Sequence, residues 1–366
     1  MKTAIFLGAG ASAADGAPLQ ADIIPDFFKL LRESDNTNPK LEFVKRRLTD
    51  YFKDFFSIDV RKINDNTKFP TFEEALGIME LSDLKSDVFM NDLYLYHHRH
   101  YVHTKSNMIL MLIWILTEKL LGQTNYCHKH LVENLQNDGL LKDVCFITTN
   151  YDLLIDNSIQ ALNGIFEREN IPDYGQLDFR NYHFEENNNS YLIKPTDEAI
   201  KLYKLHGSLN WTYCQICNTL TLHPGEKALA RLIYDYDYIR CPDCHSEPIP
   251  IIVPPTYFKN MGNVYLSNVW NQAEITLHNI EHIVFCGYSF PDADMHVKYL
   301  IKRAQIYNHN DVKFTIINNY PGKSEESKSI EKLRYTRFLG KKHVNYIEDG
   351  LSFNDFCDNP RRIIRH

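Results

Sequence analysis

Four short stretches carry residue types at spacings that chemistry can use. Gly8-Ala9-Gly10-Ala11-Ser12-Ala13 follows an apolar β-type run and matches the phosphate-binding pattern G-x-G-x-x-G/A. Glycines at such a turn let the backbone approach a pyrophosphate, and a helix N-terminus adds N–H donors. The same glycines also suit a plain strand-to-helix turn. A dehydrogenase fingerprint would add an acidic residue about 20 positions on, after a second strand; here that region reads as helix. Thr148-Thr149-Asn150-Tyr151-Asp152 sits just past another β-type run, where open α/β sheets bind their ligands. Asn150 and Asp152 can hydrogen-bond a polar ligand there, or cap the next helix. Lys204-Leu205-His206-Gly207-Ser208 repeats the arrangement, with His206 beside a glycine that leaves its imidazole room to face a ligand. A histidine with an ordinary pKa near 6.5 suits general-base work, although a lone histidine also serves structurally.

The fourth stretch is Cys214-x-x-Cys217 with Cys241-x-x-Cys244. Two thiolate pairs match tetrahedral zinc, each short loop supplying two sulfurs. The separation of the pairs slightly exceeds the common spacing of roughly 15 to 20 residues. Four cysteine ligands close the coordination shell, so the metal is expected to be structural. His223 and His245 are substitute ligands. The remaining cysteines, Cys127, Cys145, Cys286 and Cys357, are scattered, which fits a reducing compartment and no disulfide framework.

Two further clusters have a plainer reading. His97, His98, His100 and His103 fit a solvated helix face, and Arg361, Arg362 and Arg365 a basic surface tail. The net charge of −7 gives no general attraction to nucleic acid, so no direct nucleic-acid partner is expected. Hydrophobic residues at 44% and charged residues at 24% place the chain among soluble globular proteins. The N-terminus lacks a signal-peptide pattern. The most apolar stretch, Met108 to Leu116, is far short of the roughly 20 residues of a spanning helix and reads as a buried one. No membrane association and a cytoplasmic location are expected.

Strands must hold these motifs. Thr3 to Leu7, Val144 to Thr148, Tyr191 to Lys194, Tyr203 to Leu205, Ile283 to Cys286 and Phe314 to Ile317 are short apolar β-type runs. From about Leu19 to Leu135 the pattern is mainly helical, as with Phe27, Phe28, Leu30 and Leu31, or Leu76, Met79 and Leu81. Thr71 before Phe72-Glu73-Glu74 reads as a capped helix start. The loop from Glu185 to Ser190 is polar and reads as exposed. The sequence predicts an α/β fold: a Rossmann-like parallel sheet with helices on both faces, a helical insertion and a small four-cysteine zinc module. The expected division is 1–19 for the first strand and phosphate loop, 20–140 for the helical insertion, and 141–209 for Rossmann core. Residues 210–262 form the zinc module and 263–366 return to the core.

In this order and combination, the motifs resemble the sirtuin superfamily. The resemblance runs through GAGAS at 8–12, TTNYD at 148–152, KLHGS at 204–208, the four cysteines, Gly287-Tyr288-Ser289-Phe290 and Thr315 to Asn319. It implies an NAD site in which Gly8, Ala9, Gly10 and Ser12 contact the phosphates. Asn150 and Asp152 match positions that orient the nicotinamide side, and His206 matches the catalytic histidine. Gly287, Ser289 and Asn318 match positions around the phosphates and adenosine ribose. Sirtuin deacylases continue the first motif as G-I-P-D-F-R, whereas this chain reads Gly16-Ala17-Pro18-Leu19-Gln20-Ala21. Their peptide-pairing F-G-E-type segment is replaced by Ile251-Ile252-Val253-Pro254-Pro255-Thr256, and proline cannot donate to a ladder. TTNYD and GYSFPDAD are similar to the sirtuin-like NAD-consuming effectors of bacterial antiphage defence, some of which act with a HerA-type ATPase. The resemblance therefore implies an NAD glycohydrolase with catalytic Asn150 and His206, NAD as substrate and structural zinc. It also implies a homo-oligomer and an activating partner of the HerA type. A protein-lysine deacylase and a non-enzymatic NAD or nucleotide sensor are the alternatives. The altered deacylase segments weigh against the first, and the joint presence of Asn150 and His206 against the second.

Overall fold

The computed structural model describes residues 2–33, 38–64, 66–85, 104–120, 126–162, 171–181, 192–223, 239–253, 262–292, 294–308, 311–319 and 324–364. The four histidines between 97 and 103, the 185–190 loop, Pro254, Pro255, Thr256 and Arg365 lie outside these residues. The chain opens with β1 (Thr3–Leu7) and a five-residue helix α1 (Ala9–Ala13). Helices α2 (Ile23–Glu33), α3 (Pro39–Phe56), α4 (Phe72–Lys85), α5 (Thr104–Leu120) and α6 (Tyr126–Asn137) follow. Then come β2 (Val144–Thr148), α7 (Leu154–Gln160), β3 (Phe179–Asn181), β4 (Leu192–Ile193) and β5 (Leu202–Lys204). Strands β6 (Gly207–Tyr213), β7 (Leu220–Leu222) and β8 (Ile249–Ile252) precede α8 (Val264–Leu277). The chain closes with β9 (His282–Cys286), α9 (Met295–Tyr307), β10 (Lys313–Asn319), α10 (Glu325–Leu339), β11 (Val344–Ser352) and α11 (Phe353–Asp358).

Six strands form one all-parallel sheet in the order β11-β10-β9-β1-β2-β5. Every residue of β1 and β2 is buried, as a strand covered on both faces requires. The strand order reverses direction around β1. From it the chain moves outward through β2 and β5 on one side and later through β9, β10 and β11 on the other. Open α/β sheets bind ligands in the crevice beyond the strand ends at such a reversal. The register makes the ends level: Leu7 pairs with both Thr148 and Cys286, Thr148 with Lys204, and Cys286 with Ile317.

A second sheet of order β4-β3-β7-β6-β8 carries the cysteine module. It begins before residue 210, because β3, β4 and the start of β6 belong to it. The helical block from α2 to α5 has its own core, with Phe27, Phe28, Tyr51, Phe52, Phe72 and Trp114 buried together. Its aromatic richness is thus largely consumed inside the block. That core also takes in Tyr151, Leu153 and Leu209, which seats the block on the loop that follows β2 and on β6. The helix start foreseen at Thr71 is a capping box: Glu74 N donates to Thr71 Oγ1 at 3.1 Å and Thr71 N to Glu74 Oε2 at 2.8 Å. Among the described residues no helix is long and apolar enough to cross a membrane.

Candidate active site

Level strand ends place the loops that follow β1, β2, β5 and β9, together with the end of β10, along one edge of the sheet. A cavity of about 340 Å³ opens there, within the usual range for a small-molecule site. Its lining includes Ala9, Gly10, Ser12, Asn150, Asp152, His206, Gly287, Ser289 and Asn318. Gly8, at the base of the first loop, does not line it but shapes it. The sequence-derived residues therefore converge from five strands.

Glycines at 8, 10 and 287 are required for a reason the phosphate pattern did not convey. Two loops meet backbone to backbone. Gly8 N donates to Cys286 O at 2.9 Å and Gly10 N to Gly287 O at 2.8 Å. A Cβ on Gly8 would lie 2.6 Å from Tyr288 Cα, and one on Gly287 would lie 2.0 Å from Ala11 N. Gly287 also holds φ at 62°, a left-handed conformation that disfavours side chains. The N–H groups of Gly8 and Gly10 are engaged with the neighbouring loop in this arrangement. Gly207 has a comparable explanation. Its φ is 85°, and a Cβ there would lie 1.9 Å from Ile251 O. Close approach of β8, rather than room for the imidazole, demands this glycine.

Asn150 fastens the first loop to the second. Its Nδ2 donates to Gly8 O and to Ser12 Oγ, both at 2.8 Å, and Ser12 Oγ donates to Asp152 Oδ2 at 2.6 Å. With both amide hydrogens directed at the first loop, the amide oxygen is the atom of Asn150 suited to a ligand. Asp152 Oδ1 also accepts from Leu154 N at 3.1 Å at the start of α7, so this carboxylate holds the loop's shape. The far end of the first loop is tied to α6. Asp15 accepts from the N–H groups of Cys127 and His128 and lies 2.5 Å from His128 Nδ1. Burial pushes the Asp15 carboxyl up, but the His128 hydrogen bond and charge, helped by the two N–H donors, leave it below its ordinary value.

His206 is buried, and its ring lies 6.4 Å from that of Tyr151. Its carbonyl accepts from Val253 N at 2.9 Å, while Tyr151 OH donates to Val253 O at 2.7 Å. Beneath both loops lies an ion pair that sequence reading missed. Lys204 and Asp156 are fully buried, with Nζ 2.8 Å from Oδ2. Lys204 Nζ also donates to Asp152 O, and Tyr174 OH donates to Asp156 Oδ1 at 2.6 Å. A lysine in a β-run usually points to solvent. The cue available was its place inside a strand that must be covered on both faces. Phe72 and Glu73 of α4, and Leu112 and Leu116 of α5, are also unforeseen lining residues. The helical block is thus a wall of the cavity as well as an insertion.

The four module cysteines come together, with all four sulfurs within 4.8 Å of one another. Two matching knuckles build the group. Cys214 N donates to Thr219 O and Asn218 N to Cys214 O; Cys241 N donates to Ser246 O and His245 N to Cys241 O. The residue after each second cysteine, Asn218 and His245, adopts left-handed φ values of 58° and 60°. Four convergent thiols, all free of disulfides, are compatible with tetrahedral zinc. Neither expected substitute belongs to the group. His223 sits 2.7 Å from Thr212 Oγ1, and His245 is a turn residue. We expect Cys217→Ser to destabilise the fold by more than the roughly 0.5 kcal/mol of an ordinary surface change. Metal analysis paired with thermal melts, with and without chelator, checks this. Well-folded protein without zinc or iron would refute the site.

A parallel sheet with five strand ends on one cavity defines a Rossmann-like ligand-binding α/β protein. Residues 144–347 match the family model for a SIR2-like domain, more than half of the chain, and the chain belongs to that family. The first loop and the helical block precede the matched span. Among solved structures, the chain is similar to a Sir2 enzyme in complex with an inhibitor, 2′-O-acetyl-ADP-ribose and a deacetylated peptide. Identity is 14%, the TM-score is 0.40, and the match covers 99% of this chain and 93% of that one. A second similar structure concerns the mechanism and regulation of Sir2 enzymes, with 14% identity, a TM-score of 0.37, and coverage of 89% and 83%. Among curated proteins, none matches the sequence significantly. A SIR2-like domain supports NAD-dependent enzyme activity.

Proposed function

We propose that this protein is an NAD glycohydrolase that cleaves the nicotinamide–ribosyl bond. The observation that carries the reading is the linear order of the site residues along the sheet edge. Asn318, Gly287 and Ser289, the 8–12 loop, Asn150, and His206 follow the strand order β10-β9-β1-β2-β5. At about 4.8 Å per strand, β10 and β5 stand roughly 19 Å apart, a length suited to an extended dinucleotide. In this reading the phosphates lie over the Gly8–Ser12 loop, the adenosine ribose beside Asn318, and the nicotinamide ribose between Asn150 and His206.

The C1′–N bond breaks with its electron pair leaving on nicotinamide, which departs neutral. An oxocarbenium-like ribose remains, as in other glycosyl transfers. The Asn150 amide oxygen faces that positive charge and accepts a hydrogen bond from the water or ribose hydroxyl. His206 takes the proton as water attacks C1′. The products are nicotinamide, ADP-ribose and a proton; attack from within the molecule would give a cyclic product instead. Burial of His206 and the wall supplied by the helical block support exclusion of stray water.

We extend the proposal to a regulated antiphage defence effector in the cytoplasm, assembled as a homo-oligomer and activated by a HerA-type ATPase. The test is nicotinamide release from NAD alone, on protein whose oligomeric state is resolved by light scattering, with and without that ATPase. Release without any acyl-peptide is the expected result. NAD that stays intact until an acetyl-lysine peptide is added would make the protein a deacylase instead.

A further inference from the structure

Two stretches of the first loop wall the cavity: Ala9, Gly10 and Ser12, and then Ala17 to Ala21. Asp15 lies between them. It is buried and is not part of the lining; its carboxylate is turned towards α6. The first stretch cannot hold its own shape. Its helix, α1, has five residues, too few to offset the cost of nucleating a helix. It must be fixed from outside. Gly8, Gly10 and Asn150 fasten its start to the neighbouring loops, and Asp152 holds Ser12.

Asp15 fixes the far end. Its carboxylate accepts from Cys127 N at 3.0 Å and from His128 N at 3.2 Å, and lies 2.5 Å from His128 Nδ1. Those two N–H groups belong to the first turn of α6, where a helix leaves donors without internal partners and favours a negative charge. The side chains of His128 and Asp15 are 1% and 4% exposed, so salt screens the contact little. His128 is supported from behind. Its ring lies 5.2 Å from that of Phe353 in α11, and Asn134 Nδ2 of α6 donates to Cys357 O at 2.9 Å. The anchor for the first loop is thus a helix braced by the end of the chain.

We propose that Asp15 and His128 are positioning residues, whose buried pair sets the first loop where it receives the diphosphate of the dinucleotide. The inference rests on the reading of the cavity as an NAD site. Neither residue reaches the reacting atoms, so their effect falls on binding and not on the chemical step. The pair keeps the two lining stretches on either side of Asp15 in one arrangement, and α6 carries that arrangement to the far side of the loop.

Calorimetric titration with carba-NAD, whose carbocyclic linkage resists cleavage, and with ADP-ribose tests this, beside steady-state nicotinamide release. His128→Leu should weaken both probes by about tenfold, the scale of one hydrogen bond to a charged group. Both probes carry the diphosphate, so their losses should match. KM for NAD should rise by a similar factor while kcat stays within about threefold, as for an interaction shared by ground and transition states. His128→Asn, whose amide can donate where Nδ1 stands, should restore affinity to within about threefold. Asn134→Ala weakens the same helix at its other end, away from the loop, and should leave both affinities within about twofold. A merely structural pair would instead rank these variants by melting temperature alone. Losses in folded His128→Leu no greater than those of Asn134→Ala, or an Asn variant no better than the Leu one, overturn the positioning role. If the Leu variant does not fold, Asp15→Asn carries the test with the same expected loss; failure of both to fold makes the pair an element of the fold and also overturns the role. A wild-type chain that binds neither probe overturns both this inference and the NAD reading beneath it.

Discussion

Replacing His206 with Ala should slow nicotinamide release from NAD by about 10²- to 10⁴-fold, the usual cost of removing a general base. Asn150→Ala should fall at least as far, for two reasons. It removes the acceptor proposed for the ribose or water, and it cuts the two hydrogen bonds from Nδ2 to Gly8 O and Ser12 Oγ. Those bonds fix the loop over which the phosphates are placed. The Asn150 variant should therefore also lose about 1–3 kcal/mol of stability, whereas its catalytic loss should exceed what unfolding explains. His206→Ala leaves that network intact and should keep its affinity for carba-NAD. Steady-state nicotinamide release, with a melt on each variant, separates the effects. Wild-type rates from either folded variant would remove that residue from the mechanism.

The second large effect concerns stability. Lys204→Met should destabilise the protein by about 3–5 kcal/mol, because it strands the Asp156 carboxylate in a fully buried site. The double variant Lys204→Met/Asp156→Leu should recover part of that loss, since a buried pair replaced by apolar groups is often nearly neutral. The remaining deficit combines the lost Lys204 donation to the Asp152 carbonyl, which ties β5 to the loop bearing Asn150, with the Tyr174 hydroxyl left without its Asp156 acceptor. Chemical denaturation of both variants gives the numbers. Equal midpoints for wild type and Lys204→Met would mean that the ion pair carries no weight in the fold.

Five strands of the parallel sheet, β1, β2, β5, β9 and β10, were legible because each is a short run of apolar residues ending in a polar or glycine-rich loop. Thr3–Leu7 and Val144–Thr148 form with the bounds read from sequence. Four cysteines in two pairs likewise announced their own convergence, since thiols at that spacing serve few other purposes in a chain with a large core. His223 and His245 misled because residue type and proximity in sequence do not reveal side-chain direction. One ring is taken by Thr212, and the other residue serves a left-handed turn.

Sequence by itself determined five strands of the parallel sheet, β1, β2, β5, β9 and β10, with the chain order of their loops and the residue types at their ends. These follow from local periodicity and from the chemistry each motif permits. Sequence did not reveal β11 or that the Tyr191–Lys194 run belongs to the second sheet. Only the tertiary structure decided that Leu7, Thr148, Lys204, Cys286 and Ile317 end level, which is what turns five separate motifs into one cavity. It alone decided that Gly8, Gly10 and Gly287 answer to a backbone-to-backbone contact, and that Lys204 is buried against Asp156. It also brought Phe72 and Glu73 of the helical block to the wall of that cavity. The physical reason is common to all of these. Each depends on pairing between segments far apart in the chain, and a local pattern of polarity holds no record of which distant surface will cover it.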